Sequence, residues 1–259
     1  MRIAPLKRIA TACLAVAALA GCQRNVDGIS LRQRTETIGF AGRSDESTQY
    51  WTADRMILDD SRTRLIVDFD AQTLTSIDKD KKVYLVMSFD QMKARVDARH
   101  RQTEADTAHY PPEAKVQLEK MGELPGDLVA QVEVESTGRH ETIAGFETEE
   151  YSFKGSMAVG SLWVTPELTL PLGAAQRAAY RKSMDGMSAP NMQLALAMLE
   201  LDRIPLRTIM RPAADPERAS ATNEVVEVTR TGPPKDLLTI PSDFSPAPTP
   251  QGGNGEKQG

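Results

Sequence analysis

Between Arg64 and Phe89 the chain alternates. Leu65, Val67 and Phe69 fall on every second residue, and so do Val83, Leu85, Met87 and Phe89. Successive side chains of a strand point to opposite faces, so this period predicts strands with one apolar side. Leu74 to Ile77 reads as a short strand between them. The connecting segments, Asp70-Ala71-Gln72 and Asp78-Lys79-Asp80-Lys81-Lys82, are polar and of hairpin length. Together they predict an antiparallel meander.

Further strands are expected at Ile29 to Thr37, Tyr50 to Leu58, Val129 to Glu135, Glu147 to Lys154, Ala158 to Val164, Leu206 to Arg211 and Glu224 to Arg230. Two segments break the period. Asp90 to Ala108 has a charged, helix-forming composition and is followed by Tyr110-Pro111-Pro112 and a second helical stretch, Glu113 to Met121. Leu172 to Leu201 reads as two helices broken near Gly186 to Pro190. This order predicts an α+β fold, a curled antiparallel sheet forming an unclosed half β-barrel covered by helices; a flat sheet with helices on one face is the alternative. A single domain over residues 28–244 is long enough to bury a core without disulfides. Ser245 to Gly259, rich in Pro, Gly and polar residues, reads as a disordered tail.

Composition excludes several classes. At 259 residues, with two cysteines and more acidic than basic side chains, the chain is neither a disulfide scaffold nor a basic nucleic-acid binder. The first 21 residues form a secretory signal. Arg2, Lys7 and Arg8 precede an apolar stretch, Ile9 to Leu19, that is short of the about 20 residues a spanning helix needs. Leu19-Ala20-Gly21-Cys22 closes it and resembles the lipobox of bacterial lipoproteins, in which the last thiol takes a diacylglycerol. Cleavage there removes Cys13, makes Cys22 the lipidation site and leaves residues 22–27 as a tether. The mature chain then carries 28 basic and 36 acidic residues, a net of −8. Such a surface is repelled by anionic headgroups, so acyl chains at about 0.8 kcal/mol per buried methylene would have to hold it to the membrane. With Gln23 after the cysteine, the lipobox resemblance implies the periplasmic side of the outer membrane of a double-membraned bacterium.

Motifs for chemistry are absent or incomplete. His140-Glu141-Thr142-Ile143-Ala144 has Ala144 where a zincin needs its second histidine, and His100 and His109 do not share a helix face. Ser76-Ile77-Asp78-Lys79 matches Ser-x-x-Lys only formally, at a strand end. Asp78 and Asp80 open like a calcium loop, but Val83 stands where its glycine belongs, so a hairpin turn is the better reading. No metal and no cofactor are implied, and the reading is non-enzymatic. Met184, Met187, Met192 and Met198 cluster in the late helical pair. They suit core filling, a deformable lining for an apolar ligand, or copper thioether ligation.

Four stretches carry a family likeness: Tyr50-Trp51-Thr52-Ala53-Asp54-Arg55-Met56, Thr75 to Tyr84, Glu141 to Tyr151, and Leu162-Trp163-Val164-Thr165-Pro166-Glu167-Leu168. They resemble a bacterial secreted lipoprotein family of unknown function, domain of unknown function 4412, and the plan looks like the lipoprotein-carrier fold of LolA and LolB. The chain departs from the family at Phe146, where Tyr is usual, and at Thr148 or Glu149, where a cysteine is often found. The resemblance implies a cavity arginine, for which Arg55 and Arg64 are candidates. The residues themselves suggest that Gly145 turns into a strand and that Pro166 starts a helix capped by Thr165.

Two functions follow as expectations. In the first, the protein binds or carries a lipid or other hydrophobic ligand, lined by Trp51, Leu65, Val67, Phe69, Val83, Leu85, Met87, Trp163, Met192 and Met198. In the second, the barrel is filled by its own side chains and the protein serves an envelope partner through its surface.

Overall fold

The computed structural model describes residues 27–38, 43–120, 132–185, 187, 189–217 and 220–248. The expected signal segment and the expected lipidation site, Cys22, lie outside them. The described strands are β1 (Ile29–Ile38), β2 (Arg43–Trp51), β3 (Arg55–Asp60), β4 (Thr63–Asp68), β5 (Thr73–Asp78), β6 (Val83–Ser88), β7 (Val132–Ile143), β8 (Phe146–Gly155), β9 (Ala158–Thr169), β10 (Arg203–Pro212), β11 (Ser220–Thr229) and β12 (Ser245–Pro246). The helices are α1 (Phe89–Asp106), α2 (Pro112–Lys120), α3 (Ala174–Met184) and α4 (Ala189–Leu201).

All the strands join one sheet in the order β12-β6-β5-β4-β3-β2-β1-β11-β10-β9-β8-β7. It is antiparallel except for β12, which lies parallel to β6. The two edges do not meet, so the expected unclosed α+β plan is what the chain adopts. The sheet curls, because Glu141 of β7 bonds Arg207 of β10 at 2.6 and 2.9 Å. A flat sheet would hold those strands about 14 Å apart.

The meander turns are built from aspartates. Asp60 accepts from the backbone N–H groups of Arg62 and Thr63, Asp68 from Ala71, and Asp78 from Lys81, each at 2.7 to 2.9 Å. A short polar side chain that bonds the backbone ahead of it fixes a turn, and the two longer loops close on Gln72 and Lys82 at positive φ. Asp78 thus serves a hairpin, as the sequence indicated. The turn from β7 to β8 places Ala144 and Gly145 both at positive φ, as a two-residue hairpin requires.

Several expectations need correction. Tyr50 to Leu58 is not one strand but the end of β2 and the start of β3. Thr52 accepts from the Arg55 N–H and donates to Asp54, and these bonds stop the strand at Trp51. Pro166 starts no helix and lies inside β9. Pairing with β8 ends at Val164, and pairing with β10 is irregular beyond it, so the missing proline N–H costs no ladder bond. The tail does not begin at Ser245, because Ser245 and Pro246 still pair with β6. Nor has the meander only one apolar side. Ile57, Ile66 and Ile77 alternate with the predicted residues, are buried on the opposite face, and pack with Tyr50 and Tyr84 under Leu238, Ile240 and Phe244.

Helices cover the first face. Ser88 and Gln91 cap α1 reciprocally, yet only Phe89 and Met92 of that helix are buried. α4 is apolar apart from Asn191, Gln193 and Glu200 and packs on β7 to β10. Its fully buried Gln193 accepts from the N–H groups of Met157 and Ala158 at 3.1 and 3.0 Å and donates to Ser156. The helix thereby satisfies the turn between β8 and β9.

Candidate functional site

The register sorts the helix-backed face of β1 to β6 into three parallel rows. The first runs Ile29, Trp51, Met56, Val67, Leu74, Met87 and is wholly apolar. Next comes Leu31, Gln49, Leu58, Leu65, Ser76, Leu85, and then Gln33, Ser47, Asp60, Thr63, Asp78, Val83. The surface therefore grades from oil to water along the strands.

The first row belongs to the main core. Trp51 is 1% exposed and meets the Tyr180 ring edge-on at 5.9 Å, while Phe69 meets the same ring at 5.6 Å. Burial pushes the Tyr180 hydroxyl far above its ordinary pKa, so it stays neutral. Trp51, Val67 and Phe69 are at most 2% exposed, and Met198 is 8% exposed. A ligand could reach them only by displacing protein atoms. Leu58, Leu65, Val83, Leu85 and Met87 are only half-buried. Of these, Leu65 and Met87 pack against the core, as do the half-buried Ile29, Met56 and Leu74 of the first row, and the exposed Ser76 separates Leu65 from Leu85. Met192 is half-buried against the same core from α4.

Trp163 belongs to the same apolar cluster as Trp51, but its register row is charged. It is paired with Glu150 on one side and Arg207 on the other, and the row continues through Glu224, Arg34 and Glu46 across six strands of the second face. The Arg139 and Arg207 guanidiniums lie 5.8 and 5.6 Å from the Trp163 ring centre, within cation–π range. Arg207 also bonds Glu224 at 2.6 Å. Glu150 is 2% exposed. Burial raises its carboxyl, but hydrogen bonds from Thr137, Arg139 and Ser161 outweigh that and hold it below the ordinary range. Each charge in this group has an opposite partner, so the arrangement holds the strands in register. Both indole N–H groups, of Trp51 and Trp163, are buried without an acceptor.

Neither arginine candidate reaches the helix-backed face. Arg55 pairs with Asp68 at 2.8 Å and Arg64 with Asp59 at 2.8 Å, both on the second face with Ile57 and Ile66. Arg64 also donates to the Asp236 carbonyl at 3.1 Å and so clips the C-terminal segment to the sheet. Among the described residues no group of three or more His, Cys, Asp or Glu is placed to hold a metal ion. Sequence reasoning missed Gln193 and the charged row; neither has a local signal, because each depends on strands remote in the chain.

No curated protein matches this sequence. Among solved structures, PNGF-II in a C2 crystal form aligns with a TM-score of 0.40 at 8% identity, over 85% of this chain and 31% of that one. This chain thus spans about a third of that protein. A LolA superfamily protein, NE2245 from Nitrosomonas europaea, aligns with a TM-score of 0.32 at 8% identity, over 82% of this chain and 90% of that one. At these TM-scores the likenesses carry no weight for function. The family model described as Domain of unknown function (DUF4412) matches residues 113–244, from α2 to the end of the segment that covers the second face, and the chain belongs to that family.

Proposed function

We propose that this protein is a lipoprotein held by acyl chains on Cys22 at the periplasmic face of the outer membrane, and that it binds an acyl chain or another hydrophobic molecule. The observation that carries the binding reading is the half-covered patch Leu58, Leu65, Val83, Leu85 and Met87, interrupted by Ser76, in which Leu65 and Met87 pack against a buried core. Across β3 to β6 it is about 14 Å wide, the span of a medium-length hydrocarbon chain. Met56, Met87 and Met192 border the core and are deformable enough to admit such a chain. The lipobox supports the anchor.

Binding is tested on the chain Gln23 to Gly259, delipidated and titrated with a fluorescent fatty acid. Saturable uptake that Leu65→Glu or Leu85→Glu weakens at least about tenfold, or about 1.4 kcal/mol, is expected. No uptake by fluorescence or native mass spectrometry would overturn it. The anchor is tested separately: Cys22→Ala should abolish metabolic lipid labelling, and labelling that persists refutes it.

A second reading is favoured by the tight burial of Trp51, Val67 and Phe69. It holds that the sheet is filled by its own side chains and that the surface serves a protein partner. It predicts a specific crosslinked partner and no uptake of the fatty acid.

A further inference from the structure

The sheet has two edges, and they are defended differently. β7 presents Glu133, Glu135, Arg139, His140 and Glu141, and its register breaks between Ser136 and His140. Charge and irregularity both discourage a foreign strand. β6 has neither. Its sequence is Val-Tyr-Leu-Val-Met-Ser, regular throughout its pairing with β5, and Val86 is 46% exposed. Such an edge is a template for another strand.

The C-terminal segment lies along it. Ser245 donates its N–H to the Lys82 carbonyl at 3.1 Å, and Ala247 donates to Tyr84 at 2.7 Å. In a strand the N–H groups of alternate residues point to opposite sides. Those of Ser245 and Ala247 face β6, so those of residues 246 and 248 would face outward. Both residues are proline. From Ser245 to Pro248, every backbone donor turns inward, and the outer side offers carbonyls and pyrrolidine rings only. The segment is seated by the Lys82–Asp243 ion pair at 2.8 Å and by Phe244, which packs against the isoleucine cluster.

We propose that Ser245-Pro246-Ala247-Pro248 is a built-in edge cap, and that it prevents two copies of this chain from joining β6 to β6. The second copy is the occupant because two such edges related by a two-fold axis are self-complementary and antiparallel. The alternation of prolines is the feature that a mere C-terminal tail does not need.

The experiment uses the chain Gln23 to Gly259 without acyl groups, in analytical ultracentrifugation over a concentration series. The parent should sediment as a monomer. Ending the chain at Phe244, which keeps the aromatic seat but bares β6, should give dimers and larger species. Replacing both prolines by valine restores outward N–H groups and should also cause association, by way of the cap itself. Adding Val86→Lys to the shortened chain should return it to monomer. Circular dichroism melts establish that each variant is folded. The proposal is overturned if the folded shortened chain stays monomeric at every concentration, if Val86→Lys leaves its association unchanged, or if the parent already associates as strongly.

Discussion

One face of this sheet is finished in two ways. Over β3 to β5 the second face has an apolar centre, Ile57, Ile66 and Ile77, flanked by the Arg55–Asp68 and Arg64–Asp59 ion pairs and buried under residues of the segment that ends at Phe244. Over β8 to β11 the same face carries Glu150, Trp163, Arg207 and Glu224, joined by ion pairs and cation–π contacts. Where the chain returns to cover the sheet, the face can be oil. Elsewhere, side chains that neutralise one another do the shielding: Trp163 is only 7% exposed between its two arginines. The first solution draws on the hydrophobic effect and depends on a cover. The second depends on register, because each charge must stand opposite its partner.

Removing the cover is the harshest way to break this comparison. Deleting residues 235–259 should bare the isoleucine cluster and cost on the order of 5 kcal/mol, enough to abolish a cooperative thermal transition. An unchanged melting curve would show that the face needs no cover. Next in size, Ile57→Ala should cost about 2 to 4 kcal/mol in urea unfolding, since the hairpin around it cannot collapse to fill the space.

Glu150→Gln, on the charged side, should cost about 1 to 3 kcal/mol by weakening the bonds from Thr137 and Arg139. Its pH signature separates it from a packing defect. The Glu150 carboxyl is held below its ordinary range, so its stabilising contribution is full above the unfolded-state pKa and is lost as pH falls through the folded one. The parent should therefore lose stability between about pH 5 and pH 3 more steeply than Glu150→Gln. Equal slopes would remove Glu150 from the account. The smallest effect is expected at Arg32, whose contacts with Glu227 at 3.0 Å and Glu46 at 3.9 Å are half exposed. Arg32→Ala should change stability by under about 0.5 kcal/mol. A cost like that of Ile57→Ala would mean that charges beside the row are coupled to it.

The sequence showed the meander, its hairpins and the break between α3 and α4 because alternation and turn residues are local signals. The second apolar face has a local sign as well. Leu65-Ile66-Val67 is a continuous apolar run, the mark of a strand buried on both sides, and counting only alternate residues hid Ile66. Leu237, Leu238, Ile240 and Phe244 looked like the end of a domain, since their target lies over 150 residues earlier. The row through Trp163 was out of reach for the same reason. Its members come from β8, β9, β10, β11, β1 and β2, and only the register aligns them. Of the ten residues expected to line a ligand site, the half-buried Leu65, Val83, Leu85 and Met87 remain together in one half-covered patch, whereas Trp51, Val67 and Phe69 became core and Trp163 fell in a charged row.

The pairing of β1 with β11, Ser30 opposite Thr229, has a kinetic consequence. The strand made first cannot complete its ladder until nearly the last strand has emerged, so the sheet closes through contacts of very large sequence separation. Chains of that kind pay loop-closure entropy before most of their contacts form, and they fold slowly. The β2 to β6 hairpins are local enough to form early, while β1 waits with one side unpaired. Refolding should accordingly show a fast meander phase and a slow phase set by the arrival of β11.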